Sequence, residues 1–251
     1  MYRSATVECL GYKIYSEKLD FIRPGKEPVL INTINQYSYC IAEKNDLFKE
    51  SLRNSDVLLP DGVGITAAVK LLTGNKINKI AGADLHQHLL ERLNKAGGRC
   101  FYLGSSKGTL KKIVDRVEAE FPNIKVGTFS PPYKTAFSEA DNRAMLKAVN
   151  EFEPDVLFVG MTAPKQEQWA YAHKEQLRAG IICSIGAVFD FYAGTVARPK
   201  DIWIKLKLEW FIRLLKEPKR MSRRYLYYGP IYVGLLAKHR IKLAFSPVQE
   251  N

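Results

Sequence analysis

The 251-residue chain has no run of about 18 apolar residues, which excludes an obvious transmembrane helix. Its first residues, MYRSATVECLGYKIY, lack the basic start and apolar block of a secretory signal, so no leader is expected. Cysteine is scarce: Cys9, Cys40, Cys100 and Cys183 lie far apart and form no CxxC pair. Buried free thiols in a reducing cytoplasm are expected, rather than disulfides or a zinc site. No Asp-x-Asp pair occurs, so there is no carboxylate clamp for a divalent cation on a nucleotide diphosphate, and no metal and no cofactor are expected. The dinucleotide fingerprint G-x-G-x-x-G and the Walker sequence are missing too. Histidine supplies little. His86 and His88 sit two apart on a predicted helix, share no face and read as ordinary surface or partly buried residues. No Ser-His-Asp or Cys-His arrangement stands out.

What is present in excess is positive charge, +12 overall, and it is unevenly placed. Residues 196–251 carry 13 Lys and Arg against 4 Asp and Glu, whereas the preceding 195 residues are nearly neutral. A near-neutral body with a basic C-terminal segment differs from a uniformly basic nucleic-acid binder. With 46% hydrophobic content the chain buries a substantial core and fits one large domain plus an appendage.

Apolar runs PVLINTIN, SDVLLP, RCFYLG, PDVLFVG and GIICSIG alternate with helical stretches such as 106–121 and 137–152. This alternation predicts an α/β fold, a Rossmann-like and mostly parallel sheet with helices on both faces. The composition changes near Thr195, which divides a core, 1–195, from a basic amphipathic appendage, 196–251. In the appendage Trp203, Leu206, Trp210 and Leu214 recur at helical spacing up to Pro218, either packed on the sheet or facing a membrane. The end, YLYYGPIYVGLLAKHRIKLAF, is broken by Gly229, Pro230 and Gly234 and suits an interfacial position with tyrosines at headgroup depth.

Ligands of open parallel sheets sit at the carboxyl ends of the strands, so the residues after each run are the informative ones. After PVLI come Asn32, Thr33, Ile34 and Asn35, suited to hydrogen-bonding sugar hydroxyls or to capping a helix. SDVLLP ends on Asp61 with Gly62 and Gly64, which is either a turn capping the helix that begins near Ile65 or an uncrowded catalytic carboxylate. RCFYLG closes at Gly104 and leads to Ser105, Ser106, Lys107 and Gly108, a phosphate-holding helix start or a plain joint. PDVLFVG closes at Gly160, followed by Thr162, Pro164, Lys165, Gln166 and Gln168, which serve a site or a solvated surface. GIICSIG closes at Gly186, and Asp190 follows, lining a cleft or a tight turn.

LPDGVGI, IAGADL, FYLGSSKG, VGMTAPKQEQW, SIGAVFDFYAGTVARPK and LEWFIRLLKEPKR, in this order and spacing, resemble the WecG/TagA/CpsF glycosyltransferases over roughly residues 7–226. The resemblance implies an inverting, metal-independent enzyme that moves a sugar from a UDP-sugar donor to a polyprenyl-diphosphate-linked saccharide in bacterial cell-surface polysaccharide synthesis. N-acetylmannosamine, its uronic acid and glucose are the sugars it implies. It further implies a place on the inner, cytoplasmic face of the plasma membrane as a peripheral protein, with no nucleic-acid partner and with self-association left open. Asp61 matches the family's general base, with Thr33 beside it. Thr33, Asn35 and Gln166 match polar residues near the donor sugar. Lys79 stands where similar members have arginine, which keeps the charge and loses the bidentate fork. Arg213, Arg220 and Arg223 match tail arginines that close over the diphosphate. Gly104, Gly160, Lys165, Gly186 and Asp190 complete the expected substrate-binding set.

The residues themselves leave two rivals: a nucleotide-binding oxidoreductase on a similar sheet, disfavoured by the missing glycine fingerprint, and a nucleic-acid-binding module using the basic tail, disfavoured by the neutral body.

Overall fold

A computed structural model describes residues 5–196, 214–215 and 218–245, with only the backbone described at 219, 220 and 242–245. Six parallel strands form the central sheet: β3 (Val29–Ile34), β4 (Val57–Pro60), β5 (Arg99–Gly104), β6 (Lys125–Phe129), β7 (Val156–Gly160) and β8 (Ile181–Ser184), in spatial order β4-β3-β8-β7-β5-β6. The five apolar runs of the sequence are the five inner or fully buried strands. The sixth, KVGTF, escapes a hydropathy reading because it is a half-exposed edge strand. A separate antiparallel hairpin, β1 (Thr6–Cys9) and β2 (Tyr12–Tyr15), turns on Leu10 and Gly11, both with positive φ, as a tight two-residue hairpin requires.

Side chains on successive strand residues point to opposite faces, and the core divides accordingly. On one face Cys100, Tyr102, Val156 and Phe158 pack under α4 (Gly82–Ala96), α5 (Lys107–Glu120) and α8 (Gly186–Tyr192). On the other, Phe101, Leu103, Leu157 and Val159 pack under α6 (Glu139–Phe152) and α7 (Lys165–His173). The helices α5 and α6 match the stretches expected at 106–121 and 137–152. The histidine expectation fails for His86, which is 2% exposed. It hydrogen-bonds the Tyr102 hydroxyl at 2.7 Å, and burial pushes its pKa down to about 3, so it is a neutral core residue.

A third cluster joins the hairpin to α1 (Gln36–Ala42), α2 (Asp46–Arg53), α3 (Val63–Thr73) and the C-terminal helix. Its described residues 218–245 are helical: α9 (Pro218–Ser222), a π-helical turn (Arg223–Tyr227) and α10 (Tyr228–Phe245). Contrary to the expectation of a broken segment, Gly229, Pro230 and Gly234 lie inside α10. Pro230 falls in its first turn, where a missing N–H is tolerated, directly after the π turn that absorbs the irregularity. Tyr228 and Tyr232, expected at headgroup depth, are instead buried against α1 and α3. The Cys40 thiol donates to the Tyr228 carbonyl at 3.7 Å, and the Tyr232 hydroxyl donates to the Gly64 carbonyl at 3.0 Å. No helix among the described residues is long and apolar enough to cross a membrane. Trp203, Leu206 and Trp210 lie outside the described residues.

Because Tyr232 fills the seam between α1 and α3, Tyr232→Ala is expected to cost about 3 to 5 kcal/mol in denaturant unfolding. Tyr232→Phe, which loses only the bond to Gly64, is expected to cost about 1 kcal/mol.

Candidate active site

The carboxyl ends of the strands are stitched together by backbone hydrogen bonds, and this stitching assembles the site. The Asp61 amide donates to the Ile34 carbonyl at 2.9 Å, tying the end of β4 to that of β3. The Ile80 amide donates to the Pro60 carbonyl at 3.0 Å and brings the Lys79 loop back to the same edge. The Ile185 amide donates to Val159 and the Ser105 amide to Gly160, both at 3.0 Å. Gly104 and Gly160 are register partners at the point where β5 leads one way to β6 and β7 the other way to β8. Such a reversal of direction is where open α/β sheets leave a crevice. A Cβ on Gly104, whose φ is +125°, would fall inside the Gly160 carbonyl group, and a Cβ on Gly160 would fall inside the Phe189 ring.

Asp61 occupies the first position after β4 and is half-buried. The helix-cap position is taken by Gly62, with φ +123° and no side-chain cap bond, and α3 starts at Val63. The Gln36 carbonyl oxygen lies over this turn, 3.2 Å from where a Gly62 Cβ would sit and 3.0 Å from that of Gly64. The two glycines therefore admit Gln36 beside the turn that carries Asp61. Thr33 is half-buried near the end of the neighbouring strand. Asn35 caps α1, its Oδ1 accepting from the Tyr37 and Ser38 amides, both at 3.0 Å. Asn32 is fully buried, donating to the Ser51 carbonyl and the Ser55 hydroxyl. The C-terminal segment returns here: the Arg224 guanidinium lies 4.6 Å from the centre of the Tyr37 ring. Arg223 is exposed beside it in the π turn. The side chain of Arg220 and the whole of Arg213 lie outside the described residues.

Across the edge, Gln166 joins two loops. Its Oε1 accepts from the Met161 amide at 3.2 Å and the Gly186 amide at 3.1 Å, and its Nε2 donates to Glu167 Oε1 at 2.9 Å. Its carbonyl is thus committed within the protein, leaving one amide hydrogen for a ligand. Gly186 must lack a side chain because a Cβ would overlap Gln166 Oε1 and the Met161 carbonyl. Gly82 at the start of α4 packs against Ile185 and Val188, completing the wall.

Three further strand-end positions make contacts within the protein. The Lys165 ammonium donates to the Lys134 carbonyl and lies 3.5 Å from the centre of the Phe137 ring, with its pKa lowered by burial. Asp190 closes the turn after α8, its carbonyl accepting from the Thr195 and Val196 amides at 3.0 and 3.1 Å. Ser106 caps α5 through the Thr109 amide, at 3.1 Å. A separate concavity of about 500 Å³, lined by Leu10, Arg53, Thr73 and His239, lies toward the opposite edge, since α3 runs from the Asp61 turn away to Thr73. Among the described residues no group of three or more His, Cys, Asp or Glu could hold a metal ion.

Glu167 is 3% exposed, and burial, only partly offset by the Gln166 bond, raises its pKa from 4.5 to about 7. The unfolded chain gives up this proton first, so the folded state loses stability as pH rises from about 4.5 to about 7 and is level above that. Glu167→Gln removes the titration. Its stability relative to the parent is expected to rise by on the order of 3 kcal/mol between pH 4.5 and 8, measured by urea unfolding.

The family described as "Glycosyl transferase WecG/TagA/CpsF" matches residues 4–245. Among similar proteins, one from Bacillus subtilis is 30% identical over 222 residues, 88% of this chain and 84% of its own length. One from Bacillus spizizenii is 31% identical over 198 residues, covering 79% and 74%. One from Staphylococcus aureus is 25% identical over 226 residues, covering 90% and 86%. All three are named N-acetylglucosaminyldiphosphoundecaprenol N-acetyl-beta-D-mannosaminyltransferase. With a family match that spans nearly all of it, on a sheet whose strand ends gather the motif residues, the chain belongs to the WecG/TagA/CpsF glycosyltransferase family.

Proposed function

We propose that this glycosyltransferase moves N-acetylmannosamine from its UDP conjugate to N-acetylglucosamine carried on undecaprenyl diphosphate, inverting the anomeric centre in one displacement without a metal. The observation that carries the reading is Asp61: a half-buried carboxylate on a glycine turn at the sheet's carboxyl edge, with the C-terminal segment folded back beside it. The acceptor hydroxyl gives its proton to Asp61 as its oxygen bonds the anomeric carbon. The bond from that carbon to the β-phosphate oxygen breaks on the opposite face, and UDP leaves with the electron pair. The growing charge on UDP is met by Arg213, Arg220 and Arg223, with Lys79 on the facing loop. Gln166 acts chiefly by fixing the loops that receive the donor, and Thr33 and Asn35 offer polar groups to the sugar.

We place the enzyme on the inner membrane face through the outer side of its C-terminal helical segment. Leu226, Val233 and Ile241 are 69%, 63% and 58% exposed there, with the exposed cations Lys238 and Arg240 nearby in the chain. Apolar side chains entering the headgroup region, with about 1 kcal/mol from each nearby cation, give reversible binding to an anionic leaflet.

The decisive assay is UDP release from a panel of UDP-sugars, with a short-chain prenyl-diphosphate N-acetylglucosamine as acceptor. Acceptor-dependent release from UDP-N-acetylmannosamine is expected, and persists in EDTA. Release from no UDP-sugar, or loss on chelation restored by Mg²⁺, contradicts the reading. Asp61→Asn is expected to keep UDP affinity while lowering kcat by about 10²-fold or more, and near-normal turnover would remove its role as base. Replacing Leu226, Val233 and Ile241 together by Ser is expected to abolish pelleting with anionic liposomes without changing the far-UV circular dichroism. Unchanged pelleting would move the contact surface elsewhere.

A further inference from the structure

Gln166 bridges the turn after β7 and the turn after β8 by offering one oxygen to two backbone N–H groups. A primary amide has two ends of nearly the same shape and opposite hydrogen-bonding sense. Rotated by half a turn, Gln166 would set an NH₂ group against the Met161 and Gly186 amides, donors facing donors. Glu167 Oε1, 2.9 Å from Gln166 Nε2, is the acceptor at the other end of the amide and holds the observed orientation together with those two donors. We propose that Glu167 is a positioning residue of the transfer site: its carboxyl sets the direction of the Gln166 amide and, through it, the spacing of the two turns that flank the strand ends. This rests on the function proposed above only in treating those turns as the donor's seat.

Packing alone does not account for a carboxyl here. Glu167 is 3% exposed on a helix whose neighbouring residues Trp169 and Ala170 are core, and its Oε2 has no partner among the described residues. Two other buried atoms in the same condition, Asn32 Oδ1 and Ser184 Oγ, belong to strand residues on the sheet face that α7 covers. An apolar side chain of the same volume would avoid burying a half-satisfied carboxyl and would stabilise the core. The burial that raises its pKa also favours the neutral acid, whose carbonyl oxygen still accepts from Gln166. An amide in its place can accept from Gln166 in the same way. Leucine cannot accept at all, and aspartate falls one methylene short.

The test compares the full-length protein with Glu167→Gln, Glu167→Leu and Glu167→Asp, reading hydrogen exchange at the Met161 and Gly186 amides and sugar-transfer turnover. Glu167→Gln is expected to keep both amides within about threefold of parental exchange, with turnover retained. Glu167→Leu should exchange at these amides about tenfold faster or more, with a melting temperature no lower than the parent's and kcat reduced about tenfold. Glu167→Asp carries the same expectation for the amides should the leucine variant fail to fold. Parental protection in the Leu and Asp variants, equal loosening in the Gln variant, or loosened amides with unchanged turnover would each overturn the proposal. A parent that transfers no sugar would instead defeat the transferase reading, and the amide comparison would still decide whether Glu167 orients Gln166.

Discussion

The site depends on one constraint, that backbone must approach backbone where the strands end. Gly104 faces Gly160 across β5 and β7, and Gly186 meets the Gln166 carbonyl and the Met161 backbone, at distances that leave no room for a Cβ. With those contacts made, the turns after β5, β7 and β8 draw together, and the amides of Ser105 and Ile185 find their carbonyl partners. The same edge then receives the Asp61 turn through its bond to Ile34 and the Lys79 loop through the Ile80 bond to Pro60. A carboxylate, a lysine-bearing loop and the strand-end turns are gathered by backbone hydrogen bonds. The candidate site is superimposed on a joint whose geometry is set by the absence of side chains.

The C-terminal segment extends this logic. Its described part is seated in the third core cluster by Tyr228 and Tyr232, so the arginines of the preceding turn are carried on a packed helix. One side of α10 is committed to the protein, while its Val233 and Ile241, and Leu226 in the turn before it, remain exposed. This segment thus has two apolar sides, one buried and one outward.

The sheet is legible in the sequence because parallel strands buried on both faces read as continuous apolar runs, as VLINTI, VLLP and VLFVG do. The edge strand KVGTF is not, since half its side chains meet solvent, and the hairpin turn uses Leu10 where Asn or Gly is usual. Asp61 is readable from its glycines. Lys165 and Gln166 are readable as strand-end residues but not in direction: the lysine turns out to Phe137 and the glutamine inward to Gly186. Glu167 carries no local signal, because its meaning lies in a burial that only the packing of α7 on the sheet creates. His86 is misread for the same reason, its partner Tyr102 being 16 residues away on another element. Proline and glycine at Gly229, Pro230 and Gly234 suggest a break that the π turn and the first-turn position of Pro230 make unnecessary.

The most direct test of the account is where UDP binds. Amide hydrogen exchange on the full chain with and without saturating UDP should show slowed exchange in segments 33–36, 61–65, 160–167 and 185–190, with the hairpin at 8–13 unchanged. Protection confined to the hairpin concavity, or none anywhere with UDP, would contradict a nucleotide site at the carboxyl edge of the sheet.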